Sequence, residues 1–161
     1  MTIKFTESVV ETACIEYFLQ LGYEYVPAQE IACDGLFAER ASYGDVLLRK
    51  RLKASLTKIN PTIPDQALDE AIRKLSLNDS PTAIVNNRTF HKYVTDGIDV
   101  SFRKGDRDVH DKVWMFDFHN LNNNDWMVLN QFTVVENHVN RRPDVIIAIN
   151  GIPIDSGGVN M

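Results

Sequence analysis

The segment with the clearest chemical potential is Arg141-Arg142-Pro143-Asp144, which runs directly into the apolar stretch Val145–Ile149. A carboxylate placed where a turn enters a buried strand is held rigidly by the sheet and can still face solvent. That suits a hard cation such as Mg2+, which takes one or two carboxylates and completes its shell with water and substrate phosphate. The same position also suits an Asp that closes a turn by accepting nearby backbone N–H groups. Spacing leaves both open.

A second feature is basic. Arg49, Lys50, Arg51, Lys53 and Lys58 follow one another closely and are preceded by Arg40. On a helix Arg49, Lys50 and Lys53 share a face that could contact phosphates non-specifically. A solvated face that complements a helix C-terminal dipole accounts for the same residues. A third group is polar with no evident structural duty: Asn86, Asn87, Arg88, His91, Asn123, Asn124, Asp125 and Gln131. Such residues support either a site or a tight loop. The four histidines, His91, His110, His119 and His138, form no HxxxH or HExxH pair, and Cys14 and Cys33 lie in no CxxC. A zinc site is therefore not expected. Neither a GxxxxGK[ST] phosphate loop nor a GxSxG nucleophile elbow occurs.

Those residues must be positioned by an ordered set of elements. Ser8 and Glu11 have capping-box spacing and open a predicted helix from Ser8 to Leu21, with Val10, Cys14, Phe18 and Leu21 as its stripe and Gly22 as its stop. Tyr23–Val26 predicts a short strand ended by Pro27. Residues 28–43 have no period and predict an ordered loop. A helix is expected from Asp45 to Ile59, with Val46, Leu52, Leu56 and Ile59 apolar and Asn60-Pro61 ending it. Another spans Pro64–Leu75, and a fourth starts at Ser80-Pro81 and breaks at Asp96-Gly97. The period then changes to two: Ile98, Val100 and Phe102 alternate with polar residues. Lys104–Asp108 predicts a turn, Val113–Phe118 a strand, Leu121–Asp125 an Asn-rich loop, and Trp126–Glu136 a long strand or a bent pair. Val145–Ile149, bounded by Pro143 and Asn150-Gly151, has the signature of a buried central strand followed by a tight turn. Helices come first and strands follow, so the fold class is α/β or α+β, with helices flanking a central mixed sheet.

Composition sets the outer limits. The 161 residues suit one domain, and 44% hydrophobic with 24% charged residues is an ordinary globular mix. The 17 Lys+Arg against 22 Asp+Glu leave a net charge of −5. That excludes a strongly basic nucleic-acid binder as a description of the whole chain, but not a local basic patch. Two cysteines make no disulfide framework. Met1–Thr6 has no apolar signal-peptide core, and no stretch approaches the roughly 18–20 apolar residues of a membrane span. A cytoplasmic protein with no membrane partner is the expectation.

Four blocks together resemble a known family. They are ERASYGDVLLRKRLK at Glu39–Lys53, NNRTFH at Asn86–His91, NNDWMVLNQFTVVE at Asn123–Glu136 and NRRPDVIIAINGIPI at Asn140–Ile154. Their order and content are similar to the N-terminal domain of the restriction (R, motor) subunit of type I restriction–modification enzymes, over about Thr6 to Ile154. The resemblance implies residues 1–154 as that domain, with 155–161 an unpatterned tail outside the family pattern. It further implies a restriction-endonuclease-like nuclease of the PD-(D/E)xK class that cleaves DNA phosphodiesters with Mg2+. Pro143-Asp144 matches the first motif, so Asp144 is the implied catalytic residue and metal ligand. Glu7 resembles the accessory metal-binding acid of the first helix, and Glu11 matches nearly as well. DNA and the modification and specificity subunits are the implied partners, and ATP is used by the full-length subunit through domains that this sequence does not contain.

The sequence departs from that family after Ile154. The family continues with apolar residues and then E-x-K on the strand paired with that of Asp144. Here the Glu position falls on Gly158 and the Lys position on Asn160. A sheet incomplete at its C-terminal strand is the expectation, and with it a fragment of a type I restriction endonuclease subunit that is inactive alone. The alternative is a non-catalytic module that holds DNA through Arg49, Lys50 and Lys53 or docks on another subunit.

Overall fold

The computed structural model describes residues 6–77, 83–136 and 138–154. Its helices are α1 (Glu7–Gln20), α2 (Arg49–Ile59), α3 (Asp65–Ser76) and α4 (Ala83–Asp96). Its strands are β1 (Glu24–Pro27), β2 (Ile98–Lys104), β3 (Arg107–Val113), β4 (Trp126–Asn130), β5 (Val134–Glu136), β6 (Val139–Arg141), β7 (Val145–Ile149) and β8 (Ile152–Ile154). The mixed α/β class expected from the sequence is the class observed. The chain divides into two compact units, Met1–Leu48 with Trp126–Met161, and Arg49–Asp125.

The first unit is built on a four-stranded mixed sheet in the order β1-β4-β7-β8. β1 runs parallel to β4, whereas β4–β7 and β7–β8 are antiparallel. The predicted tight turn at Asn150-Gly151 joins β7 to β8, and both residues have positive φ, 55° and 77°. Two consecutive left-handed residues match the twist of a two-residue hairpin, which is why Asn-Gly serves here. Alternation then sorts the side chains. Val26, Met127, Leu129, Ile146 and Ala148 share a buried cluster with Ala28, Ile31, Leu48 and Phe132, so one sheet face is covered by the irregular segment between β1 and α2. Each of the Val, Leu, Ile, Met and Phe side chains contributes roughly 1.5–3 kcal/mol on full burial.

Asn130 and Trp126, on the opposite face of β4, meet α1 and Tyr23, which lies three residues beyond its end. α1 ends in a Schellman turn. Tyr23 N–H donates to Phe18 O (3.0 Å), Gly22 N–H donates to Leu19 O (3.0 Å), and Gly22 has φ +91°. The Phe18 and Tyr23 rings meet at 5.0 Å, and Tyr23 meets Trp126 at 5.4 Å. The predicted stop at Gly22 therefore stands. The predicted capping box does not: Thr6 is the N-cap, with no side-chain bond, and Ser8 lies inside the helix. The inward residues of α1 are Glu11, Cys14, Ile15 and Phe18, while Val10 and Leu21 of the predicted stripe are exposed.

In the second unit α2 packs on α3, α3 packs on β2, and β2–β3 form an antiparallel hairpin. Its buried residues include Leu52, Leu56, Leu68, Ala71, Ile72, Ile98, Val100 and Val113. Three expectations are corrected here. α2 begins at Arg49 rather than Asp45, because the Asp45 carboxylate accepts the N–H groups of Ala41 (3.1 Å) and Ser42 (3.0 Å) and closes a loop. The strand expected at Val113–Phe118 is instead Arg107–Val113, paired across a two-residue turn at Gly105-Asp106, and the apolar residues after it lie in a loop. Pro64 is the N-cap of α3, one place before its first turn. The Ser80-Pro81 start of the fourth helix and the segment 155–161 lie outside the described residues. Among the described residues no helix is long and apolar enough to cross a membrane.

Candidate active site at the sheet end

Asp144 is exposed and immediately precedes β7. Its position is fixed through its backbone. The β4–β7 ladder ends with Asn130 opposite Val145, and one step further the Gln131 N–H donates to Asp144 O at 2.8 Å. Gln131 makes that bond from a left-handed conformation, φ 53°, which turns the chain sharply out of β4. The predicted bent pair in Trp126–Glu136 is this bend, with β4 before it and β5 after it.

α1 reaches the same end of the sheet. Glu11 Oε1 accepts from Asn130 Nδ2 at 3.0 Å. The other end of α1 is held against Trp126 through Tyr23, so the helix runs antiparallel to β4 and its first turn lies toward the start of β7. Glu7 is exposed at the first position of α1, one turn before Glu11 on the same helix face. Tyr25 on β1 lies near as well. Its phenol is raised above the usual tyrosine range, first by burial and then by the negative charges of Glu11 and Glu30. Glu11 is thus bonded to Asn130, which lies across one rung from Val145, the residue after Asp144.

Asp144 with an acid of α1 supplies the oxygen donors that Mg2+ prefers. Among the described residues no group of three or more His, Cys, Asp or Glu side chains gathers to hold a metal ion. Two carboxylates are a donor set that Mg2+ accepts only when water and substrate oxygens complete its shell. Gly158 and Asn160, the positions that the resemblance implies for the rest of the set, lie outside the described residues.

Arg40, the outlier of the basic run, has a different duty. It is 4% exposed in the first unit. Its guanidinium donates to the carbonyls of Asp45 (2.6 Å), Thr133 (2.8 Å) and Tyr43 (2.8 Å) and stacks 4.2 Å from the Phe132 ring centre. Burial lowers its affinity for the proton, with Asp45 acting in the opposite direction. Arg40 therefore ties the loop before α2 to the segment just beyond Gln131, and is no part of a surface patch.

The remaining cations lie on α2 in the second unit. Arg49 and Lys50 are exposed at its first turn. Lys53 is bound to α3, with Nζ 2.7 Å from Asp69 Oδ1 and 2.9 Å from Asp65 O. Arg51 approaches Asp125 at 3.6 Å, and Lys58 donates to Asn122 O at 3.3 Å. The predicted trio Arg49, Lys50 and Lys53 is thus split: two residues face solvent, and the third joins two helices. Asn130, which holds Glu11, carries no signal in the sequence beyond that of a polar residue ending an apolar strand.

The chain matches the family described as type I restriction enzyme R protein N terminus over residues 4–154. It is 32% identical over 149 residues to the type I restriction enzyme MjaIXP endonuclease subunit of Methanocaldococcus jannaschii, covering 91% of this chain and 14% of that protein. It is 27% identical over 150 residues to the type I restriction enzyme HindI endonuclease subunit of Haemophilus influenzae, covering 92% of this chain and 14% of that protein. The chain therefore spans about one-seventh of the length of these relatives, and it belongs to the family of type I restriction enzyme R protein N-terminal domains.

Proposed function

We propose that residues 1–154 serve as the nuclease-class domain of a type I restriction endonuclease subunit, with Asp144 and an acid of α1 as the Mg2+-binding half of a site that hydrolyses DNA phosphodiesters. The observation that carries this reading is the convergence at one sheet end: Gln131 fixes Asp144, and Asn130, the residue before Gln131, fixes Glu11. A metal held there would neutralise charge on a scissile phosphate and activate water. Glu7 is the family counterpart of the accessory acid. The Asn130 bond favours Glu11 as the α1 carboxylate held at this end of the sheet.

By the resemblance, Gly158 and Asn160 stand at the positions expected to hold Glu and Lys. Without that second carboxylate and cation, little transition-state stabilisation remains, so we assign the isolated chain no effective cleavage. DNA and the modification and specificity subunits are the proposed partners, the cytoplasm the proposed compartment, and ATP use belongs to other parts of such subunits. Incubation with supercoiled plasmid and Mg2+ tests the assignment. No nicking above the level of Asp144→Ala is expected, and robust nicking abolished by Asp144→Ala would overturn the inactive reading. Restoring Gly158→Glu with Asn160→Lys should produce Mg2+-dependent nicking that again requires Asp144.

The same two positions favour a second reading, a module that holds DNA without cutting it. Exposed Arg49 and Lys50 are its proposed contacts, with Lys53 contributing less because Asp65 and Asp69 already neutralise it. A DNA affinity that falls steeply with salt, and weakens in Arg49→Ala with Lys50→Ala, supports it.

A further inference from the structure

The unit Arg49–Asp125 contains an open cavity of about 370 Å³ lined by Ile59, Trp114, Phe116, Asp117, Phe118 and His119. Its aromatic walls are not simply the rim of a core. Trp114 is 42% exposed and Phe118 is 62% exposed, while Phe116 is buried beside Phe118 with ring centres 6.1 Å apart. Large exposed aromatic surface in a concavity marks a contact site more often than it marks chance.

The loop that carries these rings is held with unusual completeness. The buried Asn60 side chain accepts the Trp114 N–H at 2.8 Å and donates to the Trp114 carbonyl at 2.9 Å. Asn124 does the same for Asp117, accepting its N–H at 2.9 Å and donating to its carbonyl at 2.8 Å. The Asp117 carboxylate then accepts from His119 N–H (3.0 Å), Asn120 N–H (2.8 Å) and Asn123 Nδ2 (2.8 Å). Exposed aromatic side chains on a backbone fixed this tightly lose little entropy when they are covered.

Charge selects the occupant. Asp117 is the carboxylate of the lining, and its three donors favour the ionised form, with the Asn120 N–H foremost and the Asn123 side chain next. A carboxylate accepts about four hydrogen bonds, so acceptor capacity remains on Oδ2. Aromatic faces carry the negative end of a quadrupole and attract cations. Rings and carboxylate together favour a positive group and repel a phosphate. We propose that this cavity is a docking site for a cationic side chain, arginine above all, on a basic segment of a partner protein. The inference is independent of the nuclease reading. A single-stranded nucleic acid could stack on the same rings, but it would bring its phosphates against Asp117.

The indole N–H resonance of Trp114, assigned by comparison with Trp114→Phe, reports the site in the whole chain. The probes are the peptide Gly-Arg-Gly-Arg-Gly, its Glu counterpart and an oligothymidylate. The arginine peptide should shift the resonance saturably, with an affinity that falls as salt is raised, while the other two should not. Phe118→Ala, at an exposed position, and Asp117→Asn should each weaken binding by about fivefold or more. Should Asp117→Asn fail to fold, Phe118→Ala decides. Absence of saturation with the arginine peptide, binding unchanged in Phe118→Ala, or tighter binding of the oligothymidylate would each overturn the proposal.

Discussion

Gln131 donates its backbone N–H to the carbonyl of Asp144 at 2.8 Å from a left-handed backbone conformation, φ 53°. A bond that extends the β4–β7 ladder by one step thus fixes the residue on which the proposed chemistry turns. The conformation is cheap for Gly or Asn and costly for a β-branched residue. Gln131→Gly should leave urea unfolding within about 0.5 kcal/mol of the parent, and Gln131→Val should lose about 1–2 kcal/mol. In Gln131→Val, 15N shifts should change at Asp144 and Val145 more than at Val128. Equal tolerance of Val and Gly would show that the bend is not locally strained.

Arg40 makes three hydrogen bonds to carbonyls and one ring contact from a buried position. Truncation to Met leaves those carbonyls without their donor. Arg40→Met should destabilise the chain by about 3 kcal/mol, and Arg40→Lys should recover only part of that, since an ammonium cannot span the same fork. Amide exchange at Val135, which donates to Tyr43 O in the same loop, should rise in both. Unchanged stability in Arg40→Met would remove Arg40 from the framework.

The placement of Glu11 can be read from a neighbour. Tyr25 is raised first by burial and then by Glu11 and Glu30. Removing the Glu11 charge removes one raising contribution, so Tyr25 in Glu11→Gln should ionise at lower pH than in the parent. Spectrophotometric titration near 295 nm, with Tyr25→Phe identifying the signal, makes the comparison. Glu7→Gln should move it less. A larger effect from Glu7 would reverse the assignment of the two acids.

Asp117 is held below the usual carboxylate range by the Asn120 N–H, the Asn123 side chain and the His119 N–H, and Asp99 is held there by Lys112 at 2.9 Å. A depressed folded value stabilises the native state above the unfolded value of about 3.9 and is lost as pH falls through the lower folded value. Melting temperature should therefore fall as pH drops below about 4. The fall should be shallower in Asp117→Asn and in Asp99→Asn. An identical acid profile in both variants would refute the contribution of these bonds.

On α2, Lys53 faces two aspartates whereas Arg49 and Lys50 face solvent. Each true phosphate contact contributes about 0.9 to the slope of log affinity against log salt on duplex DNA. Arg49→Ala with Lys50→Ala should reduce that slope by about 2, and Lys53→Ala by well under 1. Lys53→Ala should cost less than about 1 kcal/mol of stability, as exposed ion pairs do. Loss of DNA affinity mainly in Lys53→Ala would sink this division.

Local chemistry made several features legible in the sequence. Gly22 stops α1, Asn150-Gly151 turns β7 into β8, and the apolar run Val145–Ile149 becomes an interior strand, because each follows from backbone freedom or periodicity over a few neighbours. The four ordered sequence blocks likewise carried the family, since residue identity in register needs no coordinates. Tertiary structure alone decided what the polar side chains do. Asn60 ends a helix as expected, yet its amide also clamps Trp114, 54 residues away. Arg40 looked like part of a basic run, yet it reaches Thr133, 93 residues on, and is buried. Val113–Phe118 looked like a strand, but Asn60 and Asn124 took over its backbone hydrogen bonds and left its rings around a cavity. The physical reason is common to all three. A side-chain amide or guanidinium can satisfy backbone groups anywhere it can reach, and sequence spacing does not encode which distant carbonyl is left without a partner.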